Sequence, residues 1–445
     1  MNRRSLALKA IVVGLLMLLL LVPLGMINGT ISERMVYRQQ AVAAVAESFA
    51  GPQLLAGPVL VVPYIESIQI NELNVYGKSV PRLERRSRHW VFFPTSLSVR
   101  GKLLPSVRKR GLHEVRVYEL QSVLNAHFDA ALPKDAAATR VLGKPYLSLS
   151  IADVRGLAGT PVLRQNGVAL VLEQGQGSHR RGSGVHAQLA PVQEGQKLRF
   201  DTSFQSNLSG TESLEIAPIA GNSHIELSSS WPHPQFAGRF LPRSHRIDAS
   251  GFQARWDISS LAAGSQGQYL EAAPGASLDS LRIGLVEPVN IYTQADRASK
   301  YGILFVLLTF LGFFMFELLK QLAIHPIQYG LVGLALAIFF LLLLSLSEHM
   351  EFWIAYLCAS SACIGLLAIY LTAVLKSNAR GLSFAAALTV LYGALYGLLV
   401  SEDNALVLGS TMLFAILAAL MLVTRRIDWY APGTPGLADP QLTDS

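Results

Sequence analysis

Six apolar runs dictate what this chain can fold into. One lies near the N-terminus, IVVGLLMLLLLVPLGMING, and five follow residue 300, at approximately 301–321, 327–346, 351–374, 382–400 and 404–423. Each is about 20 residues long, which at ~1.5 Å of helical rise per residue matches a hydrocarbon core of ~30 Å. The 445-residue chain, 51% hydrophobic and 15% charged, is too apolar for an ordinary soluble protein and too charged to be all membrane. The charged residues concentrate between the first and second runs. The expected organisation is a short cytoplasmic N-terminus (1–9), a transmembrane anchor (10–29) and an external β-rich domain with an N-terminal helix (30–300). A five-helix transmembrane domain (301–424) and a cytoplasmic tail (425–445) follow.

Arg3, Arg4 and Lys9 precede the first run, and no small-x-small cleavage site closes it, so it reads as an uncleaved signal anchor. The short connections orient the rest. Those carrying Lys320, Lys376, Arg380, Arg425 and Arg426 alternate with two that contain no Lys or Arg, SLSEHME and SED. Positive residues mark the cytoplasmic side, so both termini are expected there. Arg297 and Lys300 flank the second span on the outside, but they belong to a long translocated domain, where the rule weakens.

After the anchor, Val42, Val45, Ala46 and Phe49 repeat with helical spacing until Gly51-Pro52 ends the pattern. From Leu54 to about Pro288 the texture becomes β. Runs such as VLVVPY, HWVFFP, LSVRG, VRVYEL, YLSLSIADV, VALVLE, LRFDTSF, HIELSSSW, FQARWDIS and LRIGLVEPV alternate with Gly, Pro, Asn and Ser clusters. That spacing suits a sandwich or barrel. No helix is expected inside it. The Gly-rich stretch from Gln174 to Gln188 reads as a loop or hairpin tip and a potential divider of two β subdomains.

The net charge of +7 has one source, because residues 78 to 116 hold eleven Lys and Arg against two Asp and Glu. Arg85, Arg86, Lys109 and Arg110 are the candidate contact residues for an anionic lipid or another envelope polyanion. A solvated basic surface is the plainer reading. The external placement excludes nucleic acid. Cys358 and Cys363 sit five residues apart on a membrane helix, pointing roughly 140° away from each other, and are not expected to pair.

Among acids, Glu348 and Glu351 with His349, and Glu402 with Asp403, lie in the outer connections. They suit helix capping, with Ser345 and Ser401 as cap hydroxyls, or an outward site for a cation or basic partner. Glu317 is the acid inside a span, a turn from its cytoplasmic end, with Lys320 at i+3. It reads as an ion-paired, snorkelling carboxylate or as a functional intramembrane acid. Gly393 and Gly397 are spaced for close helix contact. The sequence has no HExxH, phosphate-binding loop, Gly-x-Ser-x-Gly elbow or zinc-spaced Cys/His cluster. No cofactor, metal or catalytic residue is therefore expected. His224, His233 and His245 read as structural.

Several long segments carry a resemblance. They are ISERMVYRQQA, GPQLLAGPVLVVPY, SSWPHPQFAGRFLP, GFQARWDIS, KYGILFVLLTFLGFFMFELL, IHPIQYGLVGLALAIFFLLLLSLSEH, LYGALYGLLVSEDNALVLGS and TRRIDWY. In this order they resemble the CreD family of bacterial inner-membrane proteins, described as cell-envelope integrity proteins. One departure is Asn290 in EPVNIY, where an acid is expected. The resemblance implies a multi-pass inner-membrane protein with a periplasmic domain, involved in envelope maintenance and stress tolerance. It supplies no catalytic set or ligand. The expected function is non-enzymatic: inner-membrane lipids hold the bundle, and the periplasmic domain binds an envelope component or partner protein. The alternative is a lipid or small-molecule transporter, or a transport accessory, using Glu317 and the outer acidic connections.

Overall fold

The computed structural model describes residues 3–73, 79–134, 139–271, 278–285, 291–320, 324–375, 377–401 and 405–425. The chain divides into two units. One comprises Met1–Tyr37 and Val289–Ser445, and the other is Arg38–Pro288.

The helical unit begins with helix α1, Arg3–Ser48, which runs without a break through the Gly25–Gly29 segment and into the second unit. The short helix α2, Ser265–Glu271, belongs to the β unit. The remaining helices are α3 (Ile291–Lys320), α4 (Pro326–Ser347), α5 (Phe352–Val374), α6 (Asn378–Val400) and α7 (Ala405–Thr424). Among the described residues, five helices are long and apolar enough to cross a membrane: α1 and α3 to α6. The 20 residues of α7 carry no charge and continue the pattern. Val13, Leu20, Leu24, Ile27 and Ile31 of α1 are buried in one apolar cluster with residues of α3 to α6.

Two expectations about this unit need correcting. Helix α3 starts ten residues before the anticipated 301, because Ile291, Tyr292, Ala295 and Ala298 repeat at helical spacing and the last three are buried. Gly393 and Gly397 face open space. Close approaches are at Gly333, where a Cβ would collide with Leu20 of α1 and Phe310 of α3, and at Gly381, where it would collide with Thr372 of α5.

The β unit is a sandwich. Its nine-stranded sheet runs, in spatial order, Gln235–Gly238, Leu281–Gly284, Ser213–Ala217, Gln53–Leu73, Tyr146–Ile151, Gly184–Gln188 and Glu173–Gln174. Ser79–Phe92 and Thr139–Leu142 pair with the distal part of the 21-residue strand Gln53–Leu73. The eight-stranded sheet runs Ser244–Asp248, Gly251–Ser259, Asn222–Ser229, Ser96–Arg110, His113–Ala131, Lys197–Thr211, Leu157–Gln165 and Val168–Leu170. Alternate residues of these strands turn inward, so Leu97, Val99, Leu103, Leu120, Leu124 and Phe128 meet Leu60, Val62, Leu147, Leu149 and Ile216 of the other sheet in one core. The space between the sheets is filled by one cluster, and Arg38–Pro288 is one compact unit, not two subdomains. The Gly-rich stretch is instead a hairpin at one edge of the nine-stranded sheet, pairing Val185 with Gln174 and His186 with Glu173.

The sandwich is tied to the end of α1. The last carbonyls of a helix have no intrahelical partner, and here the Arg155 guanidinium donates to those of Glu47 (2.5 Å) and Ala46 (3.4 Å). The same group grips the Asp153 carboxylate, whose Oδ2 accepts the Gly51 N–H at 3.0 Å. Arg155 thereby holds the Asp153 carboxyl down at about 2. Next to it the Gln53 amide donates to the carbonyls of Asp153 (2.9 Å) and Ser209 (2.8 Å) and accepts the Asp153 N–H. Of the expected helical face, Val45 is buried with Ala41, Val115 and Val117, and Val42 and Phe49 are partly buried against them.

Gly156 sits within this knot, and a Cβ there would collide with the Ser209 carbonyl and the Gln53 amide. Gly156→Ala should therefore cost about 2–3 kcal/mol. It would appear as a lowered thermal midpoint of the full-length protein in detergent, whereas Gly159→Ala removes a glycine with open space around it, at a positive φ of 69°, and serves as the control for backbone strain alone.

Candidate functional site

Strand alternation has a second consequence: whatever does not face the core faces outward. On the eight-stranded sheet the outward residues line up in rows across the strands. In register, Asp257, His224, Ser98, Asn125, Ser203 and Arg164 form one row. Ser259, Asn222, Ser96, His127 and Asp201 form the next. At ~4.8 Å between strands, a six-strand row is roughly 24 Å long. These two rows floor a cleft of about 740 Å³, with Arg164 and Arg243 among its lining residues.

Two histidines organise the cleft. The Nδ1 of His224 lies 2.6 Å from Asp257 Oδ1 and its Nε2 lies 3.0 Å from Glu226 Oε1. Carboxylates only accept, so satisfying both contacts requires both ring nitrogens to donate. The chain of charge extends outward, with Arg255 Nε 3.1 Å from Asp257 and Arg100 Nε 3.5 Å from Glu226. The His224 bond is the main influence holding the Asp257 carboxyl below its ordinary value. His127 Nδ1 lies 2.8 Å from Asp201 Oδ1, with Ser96 as its neighbour on the next strand. Serine, histidine and aspartate side by side suggest a hydrolytic triad. However, the His127 and Asp201 side chains are 45% and 77% exposed, so the carboxylate is solvated rather than held in the water-poor setting that gives such a group its leverage.

A second polar network lies on the nine-stranded sheet. His179 places Nδ1 3.2 Å from the Tyr146 hydroxyl and Nε2 3.2 Å from that of Tyr269, and its backbone N–H donates to Tyr146 at 2.9 Å. Burial pushes the His179 imidazole down to about 4, and the nearby His89 and Arg180 add to the effect.

The residues singled out by sequence are scattered. Arg85 and Arg86 lie on a strand of the nine-stranded sheet, and Lys109 and Arg110 lie at the end of a hairpin of the eight-stranded one. Arg86 pairs with Glu84 and Lys109 with Glu114, both at 2.9 Å and exposed. The basic stretch is thus divided between two sheets, with part of its charge met locally.

In the helical unit, Glu348 accepts from Tyr292 (3.4 Å) and faces Arg34 Nε (3.4 Å), joining the region after α4 to α1 and α3. It is the C-cap of α4, and Ser345 lies inside that helix because the apolar run continues through Ser347. The expected hydroxyl cap at Ser345 is therefore not formed. Ser401 caps the C-terminus of α6 through its backbone N–H. Glu351 is the N-cap residue of α5, but its side chain takes the Trp353 indole N–H at 2.6 Å and makes no cap bond. His349 donates its backbone N–H to Leu346 O at 3.0 Å in the turn after α4. Glu317 is 3% exposed and accepts the hydroxyl of Tyr329, from α4, at 2.7 Å. Glu402, Asp403 and Asn290 lie outside the described residues.

The sequence alone marks His224 as structural and does not single out Asn125, His127 or Asp201. The available signal was alternation: Ser96, Ser98, Arg100 and Lys102 interleave with Leu97, Val99, Gly101 and Leu103. That pattern marks an outward polar face but gives no register between strands.

A membrane helix, an inserted β-sandwich and a following bundle of apolar helices together define a multi-pass membrane protein with a large extramembrane β domain. The profile of the family described as Inner membrane protein CreD matches residues 5–430. The Escherichia coli (strain K12) protein named Inner membrane protein CreD is 39% identical over 422 residues, covering 94% of this chain and 92% of that relative. The chain belongs to the CreD family of inner membrane proteins. Among solved structures, an M1 zinc metallopeptidase from Deinococcus radiodurans aligns over 43% of this chain and 42% of its own, at 8% identity and a TM-score of 0.21. A likeness that slight carries no argument about fold or chemistry.

His179 provides a pH test of the β domain. Its folded value of about 4 lies below the ordinary 6.5, so folding favours the neutral ring. The associated stability is complete above pH ~6.5 and is lost as pH falls towards ~4, where the unfolded chain binds the extra proton. Thermal midpoints measured from pH 7.5 to 4.5 should fall less steeply in His179→Gln than in the parent protein.

Proposed function

We propose that this chain is a non-enzymatic inner-membrane protein of envelope integrity and stress tolerance, whose β domain binds an envelope component. The lysine and arginine bias of the short connections supports cytoplasmic termini and a periplasmic β domain. The observation that carries the binding reading is the outward face of the eight-stranded sheet. It offers in-register rows of Ser, Asn, His, Asp and Arg around a cleft of about 740 Å³. Directional hydrogen-bonding groups on a rigid sheet suit recognition. Both His224 nitrogens are engaged by carboxylates, which fixes the ring in place as part of a recognition surface. Inner-membrane lipids would surround the apolar helices.

The transport reading rests on Glu317, an acid buried in a span. Its bond from Tyr329, with Phe310 and Phe313 packed against that ring, favours a role in joining α3 to α4. Glu317→Gln keeps an acceptor for the Tyr329 hydroxyl and removes the ionisable carboxyl. Envelope-stress tolerance of cells carrying Glu317→Gln at normal protein level should match the parent, and its loss would favour the transport path.

Native mass spectrometry of protein extracted gently from its own membrane tests the binding reading. A retained envelope molecule, lost in Asn125→Ala combined with Ser98→Ala, is the expected result. Identical spectra for parent and variant, with no adduct in either, would overturn it.

A further inference from the structure

The rows continue beyond the first cleft, and their chemistry changes. One row further along the same strands stand Ser244, Arg255, Glu226, Arg100, Val123 and Gln205, followed by Arg246, Gln253, Ser228, Lys102, Gln121 and Asn207. The stretches from Ser244 to Arg100 and from Arg246 to Gln121 floor a second cleft, of about 710 Å³. Its lining residues include Arg100, Lys102, Arg246 and Arg255, against Glu226 as the one carboxylate among them.

The arginines are oriented as well as present. Arg255 donates to Asp257 through Nε (3.1 Å) and one terminal nitrogen (3.5 Å), while Arg246 and Arg100 stand at ion-pair distance, through Nε, from Asp248 (3.2 Å) and Glu226 (3.5 Å). An arginine paired on its Nε side is biased in direction and keeps terminal N–H groups to offer to a carboxylate or phosphate. Arg246 and Arg100 are 82% and 75% exposed at the side chain, so these donors are within reach of a ligand. Lys102 forms no ion pair among the described residues. Glu226 belongs to both clefts in effect, since it bonds His224 on one side and faces Arg100 on the other.

We propose that this second cleft takes the anionic substituent, phosphate or carboxylate, of a hydroxyl-rich glycan whose uncharged part lies along the Ser, Asn and His rows of the first cleft. The inference rests on the binding reading above and narrows it to one ligand chemistry. The neutral rows supply hydrogen bonds for hydroxyls and amides, and the cationic rows supply the charge-assisted contacts. Both halves stand on the same strands in fixed register. Two envelope sources share this chemistry: phosphorylated glucosamine disaccharides, and amino-sugar chains bearing lactyl carboxylates.

The test uses the full-length protein in nanodiscs of zwitterionic lipid, which removes competing anionic headgroups. Calorimetric titrations would compare a phosphorylated glucosamine disaccharide, a lactyl-bearing amino-sugar tetrasaccharide and an uncharged N-acetylglucosamine tetrasaccharide. At least one charged probe should bind about tenfold more tightly than the uncharged one, as expected for a charge-assisted contact. Lys102→Glu should erase that advantage, and Lys102→Arg should keep it. An unchanged circular dichroism spectrum and melting point in Lys102→Glu would separate lost charge from lost fold. The charged probe that wins identifies the source. If all three bind alike and Lys102→Glu changes none, the anionic inference fails while the binding reading stands. If none binds, the glycan inference falls, and a protein adduct in the native spectra would still support the broader reading.

Discussion

The β domain depends on how one helix ends. Helix α1 is both the first apolar helix of the bundle and the element against which Val115 and Val117 pack, and it stops at Ser48. The strand that follows, Gln53–Leu73, is the spine of the nine-stranded sheet, with partners on both sides along its length. Five residues after the helix stops, the chain must therefore be in register with two other strands. Arg155, Asp153 and Gln53 meet that demand with charge-assisted bonds to otherwise orphaned backbone groups, which is where such bonds are most effective. Thr211 completes the arrangement by donating to the Ala50 carbonyl at 2.6 Å.

Much of this architecture is legible in the sequence, because membrane burial and strand alternation both leave one-dimensional signals. The six apolar runs are helices, and each β-rich run recognised by composition falls in or overlaps a strand. What escapes is whatever depends on a partner. Leu157–Gln165 contains Gly159 and Pro161 and is a strand because Lys197–Thr211 pairs with it. Ser244–Asp248 is exposed throughout and has no apolar alternation to betray it. The helix Ser265–Glu271 buries Tyr269 against the outer side of the nine-stranded sheet, a role that seven residues cannot announce.

The site shows the same division. The charge excess between residues 78 and 116 is plain to read, yet it does not become a patch, because consecutive hairpins deliver it to different sheets. Arg100 and Lys102 matter through neighbours from distant parts of the chain, Glu226 and Ser228, set beside them by a parallel strand pair. The histidine pairs are equally non-local: His127 meets Asp201, and His224 meets Asp257. Residue type suggested that these groups were ordinary, and register is what makes them a site.

The strand order also has a kinetic side. Gln53–Leu73 pairs in parallel with Ser213–Ala217, and the late strand Leu281–Gly284 inserts between Ser213–Ala217 and Gln235–Gly238. Neither pairing is local, so loop-closure entropy is spent before the contacts form, and such topologies fold slowly. The sheet closes only once the segment leading into α3 is available. Until then the apolar inner faces of the early hairpins are exposed, at the moment when the first membrane helix has already fixed the chain in place. Tethering keeps the partly folded domain from diffusing freely into contact with others, but its apolar strand faces stay uncovered for the interval between its first strand and its last.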